Sequence, residues 1–459
     1  MQKLFLEFDR MTQKNEKRMH SYFFELLQAL VFFLAWRFDN GTIAMVGVVV
    51  FCLMILLFSS DGGLFGGVLM LGLLSIPKLP YFDFIPVSVY VMAAALVVGL
   101  LLMTLKKIFV TKDLNLSFGS MGISLSLMVL LLLASSVVNQ IVRTSEFAGY
   151  GWLAVGVAFI IVLFYFLFVF TSKEGYLYYL VKIFYALNIL MFVELFSGMI
   201  NSNPHIYNTG LGGKNVVSIV LEICIPFVAI AFARNKWRID SIIIILIDYF
   251  FIIDSKSRGG LVTVLVLTLL LAYILSFASD NKVKRNKYQY LRNYIIAFSG
   301  IVLAIVIGYF YFEPITQGID YLLVRGDDLS GREGIWDTAL SYTKDNWLFG
   351  GSLSALFEMF VKYDFMSPAG SVGIWLCHNT FITFLASGGI LVLLAYLSNV
   401  FETVRTSIKI NSVIKYAVIY FILIGLIHGM IDNTYFSIIY MIPMVLIFSK
   451  GELVNAYKI

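Results

Sequence analysis

Long runs of apolar residues, separated by short polar segments, dominate the chain. The stretches 127–133 and 243–246 contain no polar residue at all. The strands of an outer-membrane barrel would instead alternate apolar and polar positions. A helix that spans a membrane needs roughly 20 predominantly apolar residues, and many of the runs approach this length. The pattern therefore predicts membrane-spanning helices.

Fourteen runs are candidate spans. They lie near 22–37, 42–59, 63–76, 84–105, 118–139, 152–171, 176–200, 211–233, 239–253, 259–278, 292–312, 378–400, 413–430 and 433–449. The fold predicted is an all-α, polytopic integral membrane protein with about 12 to 14 transmembrane helices.

Composition excludes the soluble, fibrous and disordered classes. Of the 459 residues, 60% are hydrophobic and 13% are charged, whereas soluble domains have roughly 45–50% and about 25%. The three cysteines, Cys52, Cys224 and Cys377, are scattered and indicate neither a disulfide framework nor a thiolate metal site. The excess of five positive charges is divided among short loops, so nucleic acid is not an expected partner.

The basic residues predict the orientation of the chain. With the amino terminus inside, 23 of the 33 lysines and arginines fall on the inner side, as the positive-inside rule requires. Residues 1–21 then form a cytoplasmic tail, and both termini are expected to be cytoplasmic.

One polar segment, 313–377, is long enough for a small extracytoplasmic subdomain. Ser330 and Glu333 have the spacing of a capping box, which predicts a helix from about Gly331 to Tyr342. The predicted organisation is a tail at 1–21, helices 1–11 at 22–312, a large outer loop containing short helices at 313–377, and helices 12–14 with a short cytoplasmic tail at 378–459.

Polar residues mark the outer ends of several helices. Lys214 opens the eighth span, Ser257, Arg258 and Gly259 open the tenth, and Arg332 opens the loop helix. Basic side chains beside free amides at helix starts are suited to a diphosphate. Two other readings stay open: Arg258 as an anchor that snorkels to the interface, and Arg332 as a partner of nearby loop acids.

Histidines supply the candidate base. His205, His378 and His428 fall on the outer side, where a neutral imidazole can accept a proton from a hydroxyl. His378, followed by Asn379, opens the twelfth span, and a purely structural role at that helix start is the alternative. His428 and Asp432 have i, i+4 spacing and are expected to pair.

Other chemistry has weaker support. Cys377 is adjacent to His378, but neighbouring helical residues point about 100° apart, so a nucleophilic pair is not expected. Asp327 and Asp328 lack further ligands at metal-binding spacing, and we predict no metal and no cofactor. Glu194, Glu222 and Asp248 lie within spans, where such residues often mark transport paths; a carrier is therefore a second hypothesis.

The second half of the chain resembles the bacterial O-antigen polymerase and ligase superfamily. The resemblance covers about 254–398, and its motifs are Asp254 to Gly260, Ser330-Gly331-Arg332 with Ile335-Trp336, Leu348-Phe349-Gly350-Gly351, and His378-Asn379-Thr380-Phe381 with Gly388-Gly389. It implies a membrane glycosyltransferase of the GT-C type in the bacterial cytoplasmic membrane. Such an enzyme uses undecaprenyl-diphosphate-linked oligosaccharides as donor and acceptor, without metal or nucleotide sugar.

The resemblance also implies roles for individual residues. Arg258 and Arg332 would engage the lipid diphosphate, with Lys214 as a looser match, and His378 would activate the acceptor. Ser257, Gly259, Asn379, His428 and Asp432 are candidate supporting residues. A chain-length regulator and a flippase of the same pathway are potential partners.

Two features favour a polymerase over a lipid A-directed ligase. Val392 stands three positions after Gly389, where the ligase pattern has a small or aromatic residue. From Asp320 onward the outer loop has eight acids and four bases, which is unfavourable for recruiting a phosphorylated lipid A core. We therefore predict a polymerase of O-antigen or capsular repeat units, with the ligase and a lipid-linked oligosaccharide flippase as alternatives.

Overall fold

Every predicted span coincides with an α-helix in the computed structural model. The structure describes residues 10, 12, 14–38, 40–74, 87–112, 119–142, 148–173, 176–201, 207, 213–234, 239–277, 287–324, 332–352, 377–410, 414–434 and 438–456. Within these residues the regular elements are helical.

The helices of the first half run as follows. They are α1 (Tyr22–Arg37), α2 (Gly41–Phe58), α3 (Phe65–Leu74), α4 (Val87–Lys106), α5 (Ser120–Ile141), α6 (Ala148–Thr171) and α7 (Tyr176–Ile200). A short 3-10 turn, Gly62–Leu64, leads into α3, and a π-helical segment, Lys107–Thr111, extends α4.

The second half contains the remaining spans and the loop helices. They are α8 (Lys214–Arg234), α9 (Ile239–Asp254), α10 (Arg258–Phe277), α11 (Lys287–Tyr311), α12 (Glu313–Val324), α13 (Arg332–Asp345), α14 (Thr380–Lys409), α15 (Ile414–Ile427) and α16 (Ile438–Ala456). The loop helix predicted at 331–342 is present as α13. The loop acids Asp327 and Asp328, the capping residue Ser330, and His205 lie outside the described residues.

Length and composition support a membrane protein. Among the described residues, eight helices are long and apolar enough to cross a membrane, and four shorter apolar helices accompany them. The other two predicted spans, α1 and α9, form helices of 16 residues each, close to the lower limit of about 17 for spanning. The all-α, polytopic architecture predicted from the sequence is confirmed.

Helix α8 lies at the centre of the bundle. In an 18-residue apolar window within Lys214–Phe232, 89% of the residues are buried inside the protein, compared with 11% for an equal window within Leu291–Tyr311 of α11. It packs against α7, α9, α10, α15 and α16. The Phe184 and Phe227 rings stack at 4.2 Å, and because these residues lie near the start of α7 and the end of α8, the two helices run antiparallel.

Ion pairs attach the amino-terminal segment to one end of the bundle. Glu16 contacts Lys173 at 3.1 Å, and Glu25 contacts Lys182 at 2.9 Å. This end includes the start of α7, so the start of α8, with Lys214, lies at the opposite end. The charge pattern assigns these two ends to opposite sides of the membrane. The structure therefore separates the polar residues of the inner side from those of the outer side.

Candidate active site

The candidate residues of the second half meet at one end of the bundle. They lie at the starts of α8, α10, α13 and α14, around a short segment after α15 that we call the 428–433 turn. This turn begins with a 3-10 helix, His428–Met430, and its carbonyl oxygens and carboxylate accept hydrogen bonds from the surrounding elements. Residues far apart in sequence are therefore joined at a single segment.

His378 pairs with Asp432. Its Nδ1 lies 3.0 Å from Oδ1 of Asp432, and Nδ2 of Asn215 donates to Oδ2 of the same carboxylate at 2.5 Å. The backbone amide of Asn433 donates to Oδ1 at 2.8 Å. With an ionised Asp432 as acceptor, His378 carries its proton on Nδ1, which leaves Nε2 with a lone pair that can accept another.

The electrostatics agree with an ionised Asp432. Burial alone would raise the pKa of Asp432, but the hydrogen bond with His378 and the electrostatic attraction to His378 and His428, together with the Asn433 amide, hold that pKa well below its usual range. An acceptor that stays charged is suited to stabilising an imidazolium on His378.

The backbone around His378 is unusual. His378 has φ +48°, a left-handed conformation that is uncommon for a residue with a side chain and that occurs preferentially at functional sites. Asn379 caps α14, since its side chain accepts from the amides of Phe381 and Ile382, and its Nδ2 donates to the Met430 carbonyl at 3.0 Å. The Trp336 indole of α13 donates to the Cys377 carbonyl at 2.7 Å. This hydrogen bond joins the loop helix to the backbone directly before His378.

Cys377 does not provide a nucleophile. Its side chain is fully buried, and burial raises the pKa of the thiol to about 12. Because the thiolate is the reactive form, the geometry supports the prediction that His378 does not act with a neighbouring thiol.

Two basic side chains face the same aromatic ring. The Lys214 ammonium lies 5.4 Å from the centre of the Tyr321 ring, and the Arg258 guanidinium lies 5.9 Å from it. Tyr321 belongs to the loop helix α12, so this loop helix contributes one wall of the basic site. Such contacts attract cations weakly, typically by about 0.5–2 kcal/mol.

Arg332 lies beside the same group of cations. Its guanidinium donates to the carbonyl of Ile431 in the 428–433 turn. Burial lowers the pKa of Arg332, and the positive charge of Arg258 lowers it further, while Asp432 opposes both effects. Two arginines therefore lie close enough to repel each other, an arrangement that a bound anion would relieve.

Ser257 and Gly259 shape the start of α10. The Ser257 hydroxyl accepts from the Gly260 amide at 3.3 Å and donates to Asn215 at 3.0 Å, so it caps the helix and fixes its position relative to α8. A side chain on Gly259 would collide with His428, since an ideal Cβ would lie 2.4 Å from Nε2 of that ring. The glycine allows a close helix approach at this point.

The expected pairing of His428 with Asp432 is wrong. His428 instead contacts Glu222 of α8, with Nδ1 at 3.0 and 3.1 Å from the two carboxylate oxygens, while Asp432 pairs with His378. The i, i+4 spacing assumed a continuous helix, but α15 ends at Ile427 and a 3-10 turn follows.

Two glycine motifs of the sequence interlock. Gly350 has φ +59° and Gly389 has φ +66°, and an ideal Cβ on Gly389 would lie 2.3 Å from the Leu348 carbonyl oxygen. Gly389 breaks α14, and two backbone hydrogen bonds cross this break. The Gly351 amide donates to the Ala386 carbonyl at 3.0 Å, and the Ile390 amide donates to the Trp347 carbonyl at 2.8 Å. The turn after α13 is thereby inserted into the helix that begins beside His378.

Sequence reasoning missed three contributors. Tyr321 gave no signal because a tyrosine on an amphipathic helix is common. Asn215 follows Lys214 without any distinctive pattern of its own, although it contacts both Asp432 and Ser257. Glu222 stands out as a charged residue within a predicted span. Its partner, His428, is 206 residues away in sequence, so no local pattern indicates the pair.

Comparison with known families finds a match for one part of the chain. Residues 241–397 match the family model described as O-antigen ligase. This part of the chain is similar to the O-antigen ligase family. The resemblance to the O-antigen polymerase and ligase superfamily is thus confirmed, and comparison with curated proteins finds no match.

The matched residues contain only part of the candidate site. Arg258, Arg332 and His378 lie inside the matched residues, whereas Lys214 and Asp432 lie outside them. His378 and Asp432, which pair in the structure, therefore come from different parts of the chain. Membrane enzymes of this family are glycosyltransferase-like, and lipid-linked polysaccharides are the substrate class that the family suggests.

Proposed function

We propose that the protein is a polymerase that joins undecaprenyl-diphosphate-linked oligosaccharide repeat units at the outer leaflet of the cytoplasmic membrane. The observation that supports this function most directly is the placement of three cations beside a histidine–carboxylate pair. Lys214, Arg258 and Arg332 supply positive charge for a diphosphate, and His378 with Asp432 supplies a base a short distance away.

The reaction uses each group once. A hydroxyl of the acceptor sugar attacks the anomeric carbon of the donor, forming a new C–O bond while the C–O bond to the diphosphate breaks. The hydroxyl proton goes to Nε2 of His378, and Asp432 stabilises the resulting imidazolium. The lipid diphosphate leaves with the bonding electron pair, and the cations stabilise its growing negative charge.

The residues that contact the diphosphate are expected to act by position as well as by charge. The Arg332 guanidinium can bind two phosphate oxygens at once, and Arg258 begins α10, where free backbone amides point toward a ligand. Ser257 fixes this helix start, and Gly259 lets it approach the 428–433 turn. Asn379 holds the start of α14 against the same turn.

The polymerase is favoured over the lipid A-directed ligase by the outer loop. The family match itself supports both enzymes equally. The eight acids and four bases of the loop from Asp320 onward disfavour a phosphorylated lipid A core but leave a neutral or amino-sugar glycan unhindered. The acceptor is therefore expected to be a second lipid-linked glycan.

A reconstituted assay tests this choice. Purified protein in detergent receives lipid-linked repeat units, with and without lipid A core, and the products are separated by chain length. A ladder of longer lipid-linked glycans is expected in both samples. Transfer to the core alone would replace the polymerase by the ligase.

The same assay separates an enzyme from a flippase. Detergent removes the two sides of a membrane, so a carrier would leave the length of the glycan unchanged. Failure to form any new glycosidic bond, with the protein folded and donor present, would reject both transferases.

Turnover is expected to survive chelation. The cationic side chains fill the role that a divalent ion would otherwise have in neutralising a diphosphate. Within the described residues, no group of three or more His, Cys, Asp or Glu side chains is arranged to hold a metal ion. Chain growth should be equal with and without EDTA; a loss that magnesium or manganese restores would contradict the prediction.

A further inference from the structure

A second histidine–carboxylate pair lies behind the first. Glu222 and His428 are both fully buried, with 0% of either side chain exposed. Placing a charged side chain within a membrane costs about 2.5–3.5 kcal/mol on insertion scales. The glycosyl transfer described above uses neither residue, so their presence in the interior needs another explanation.

His428 controls the geometry of the turn that carries Asp432. Its backbone carbonyl accepts from the amides of Ile431 at 2.9 Å and Asp432 at 2.8 Å. Its side chain is fixed from the other side by both oxygens of Glu222. A chain of contacts thus runs from the central helix α8 through His428 to the carboxylate that orients His378.

The other edge of the His428 ring faces α10. Nε2 is buried without a hydrogen-bond partner among the described residues, and it occupies the space beside Gly259. Rotation of the ring would leave Nδ1 without Glu222 and would press the ring against the first turn of α10. The ring therefore has one favourable orientation, and Glu222 determines it.

We propose that Glu222 is a positioning residue for glycosyl transfer. By accepting a hydrogen bond from His428 it holds the 428–433 turn in place, and thereby holds Asp432 where it orients the ring of His378. The inference deepens the proposed function and rests on it for its effect on turnover, but its structural part can be tested without substrate.

The substrate-free test observes the histidine rings directly. The chain has only four histidines, so nitrogen NMR of protein labelled in histidine can resolve them, with His378→Gln used to assign one signal. Wild-type His378 should show its proton on Nδ1. In Glu222→Leu, which removes the acceptor, His378 should become a mixture of both tautomers, whereas Glu222→Gln should largely preserve the wild-type signal.

A matched control uses another buried acid of the bundle. Asp248 of α9 is also 0% exposed, and it accepts from Asn188 at 2.9 Å, but the described contacts of its side chain do not include the 428–433 turn. Asp248→Asn should leave the His378 signal and the turnover number unchanged. Any effect that Glu222→Leu shares with this control is a general effect of altering a buried acid.

The activity test compares the same variants. Glu222→Leu should lower kcat by about 100-fold, the scale expected when a catalytic group is displaced by about 1 Å, with the donor KM within about threefold of wild type. Glu222→Gln should recover most of kcat. In an Asp432→Asn background, Glu222→Leu should cause little further loss, since both changes act on His378.

The outcomes separate this inference from the proposed function. If Glu222→Leu leaves both the His378 signal and kcat unchanged, or changes only the melting temperature, the inference is overturned. If the NMR result holds while the wild-type protein joins no glycans, the proposed function fails and the positioning role of Glu222 on His378 stands.

Discussion

Arg332 is the residue whose environment says most about the proposed diphosphate site. It is half-buried, it donates to the Ile431 carbonyl, and it lies near a second arginine. Lysine would be a poor replacement because it lacks the planar fork of donors, and because burial beside Arg258 favours a neutral amine. The site therefore requires arginine and not merely positive charge.

We predict that Arg332→Ala reduces chain growth by at least about 100-fold, within the range of losses caused by removing a transition-state donor. Arg332→Lys should recover little. Chain length on gels, measured at equal amounts of membrane-inserted protein, provides the readout. Lys344→Ala, at the exposed end of the same helix, is the matched control and should be fully active. If Arg332→Ala lengthens glycan chains as the wild type does, this arginine has only a structural role.

Asp432 should contribute to stability over a wide range of pH. A carboxylate whose folded pKa is lowered stabilises the protein above the ordinary aspartate value of about 3.9, and this contribution is lost as the pH falls through the folded pKa. The difference in melting temperature between wild type and Asp432→Asn should therefore not shrink between about pH 8 and pH 5, and should shrink below about pH 4. Shrinkage in the neutral range would contradict the lowered pKa of Asp432.

At the scale of elements, the break in α14 connects the loop to the bundle. Gly350 and Gly389 both have positive φ, and their backbones touch where the turn after α13 enters the helix. Since Trp336 of α13 also contacts the Cys377 carbonyl, the loop helix is fixed at both ends. Arg332 and His378 are consequently held at a constant separation.

We predict that Gly389→Ala destabilises the protein by about 2 kcal/mol or more, from about 1–3 kcal/mol of backbone strain plus the clash with Leu348. Thermal unfolding in detergent measures the change. Gly300→Ala in α11 is the control, because a Cβ there meets nothing within 4 Å, and alanine favours a helix. Equal melting temperatures for both variants would show that the break does not depend on glycine.

The sequence was most informative about elements and less so about their contacts. Apolar length predicted all fourteen helices because a membrane constrains each span separately. The candidate site residues could be named because basic and histidine side chains at predicted helix starts are conspicuous and resemble the family's motifs; their roles stay predictions. The pairing of Asp432 with His378 and of Glu222 with His428 was not predicted, since both depend on how distant helices pack and on a 3-10 turn that ends α15 early.

At the scale of the whole molecule, two groups of ion-paired residues are far apart. One group attaches the amino-terminal segment to the bundle through pairs such as Glu16 with Lys173. The other surrounds the 428–433 turn. Because α7 and α8 run antiparallel, these groups lie at opposite ends of the apolar bundle, and the charge pattern predicts that the first is cytoplasmic.

Labelling from each side of the membrane tests that orientation. All three native cysteines are buried, so a cysteine-free background should retain its fold and its activity. In that background, Lys344→Cys in the outer loop should react with a membrane-impermeant maleimide on intact spheroplasts. Arg405→Cys, near the other end of α14 and 49% exposed, should react only after the membrane is opened. The reverse pattern would place the site on the cytoplasmic side, where a polymerase acting at the outer leaflet could not reach its substrates.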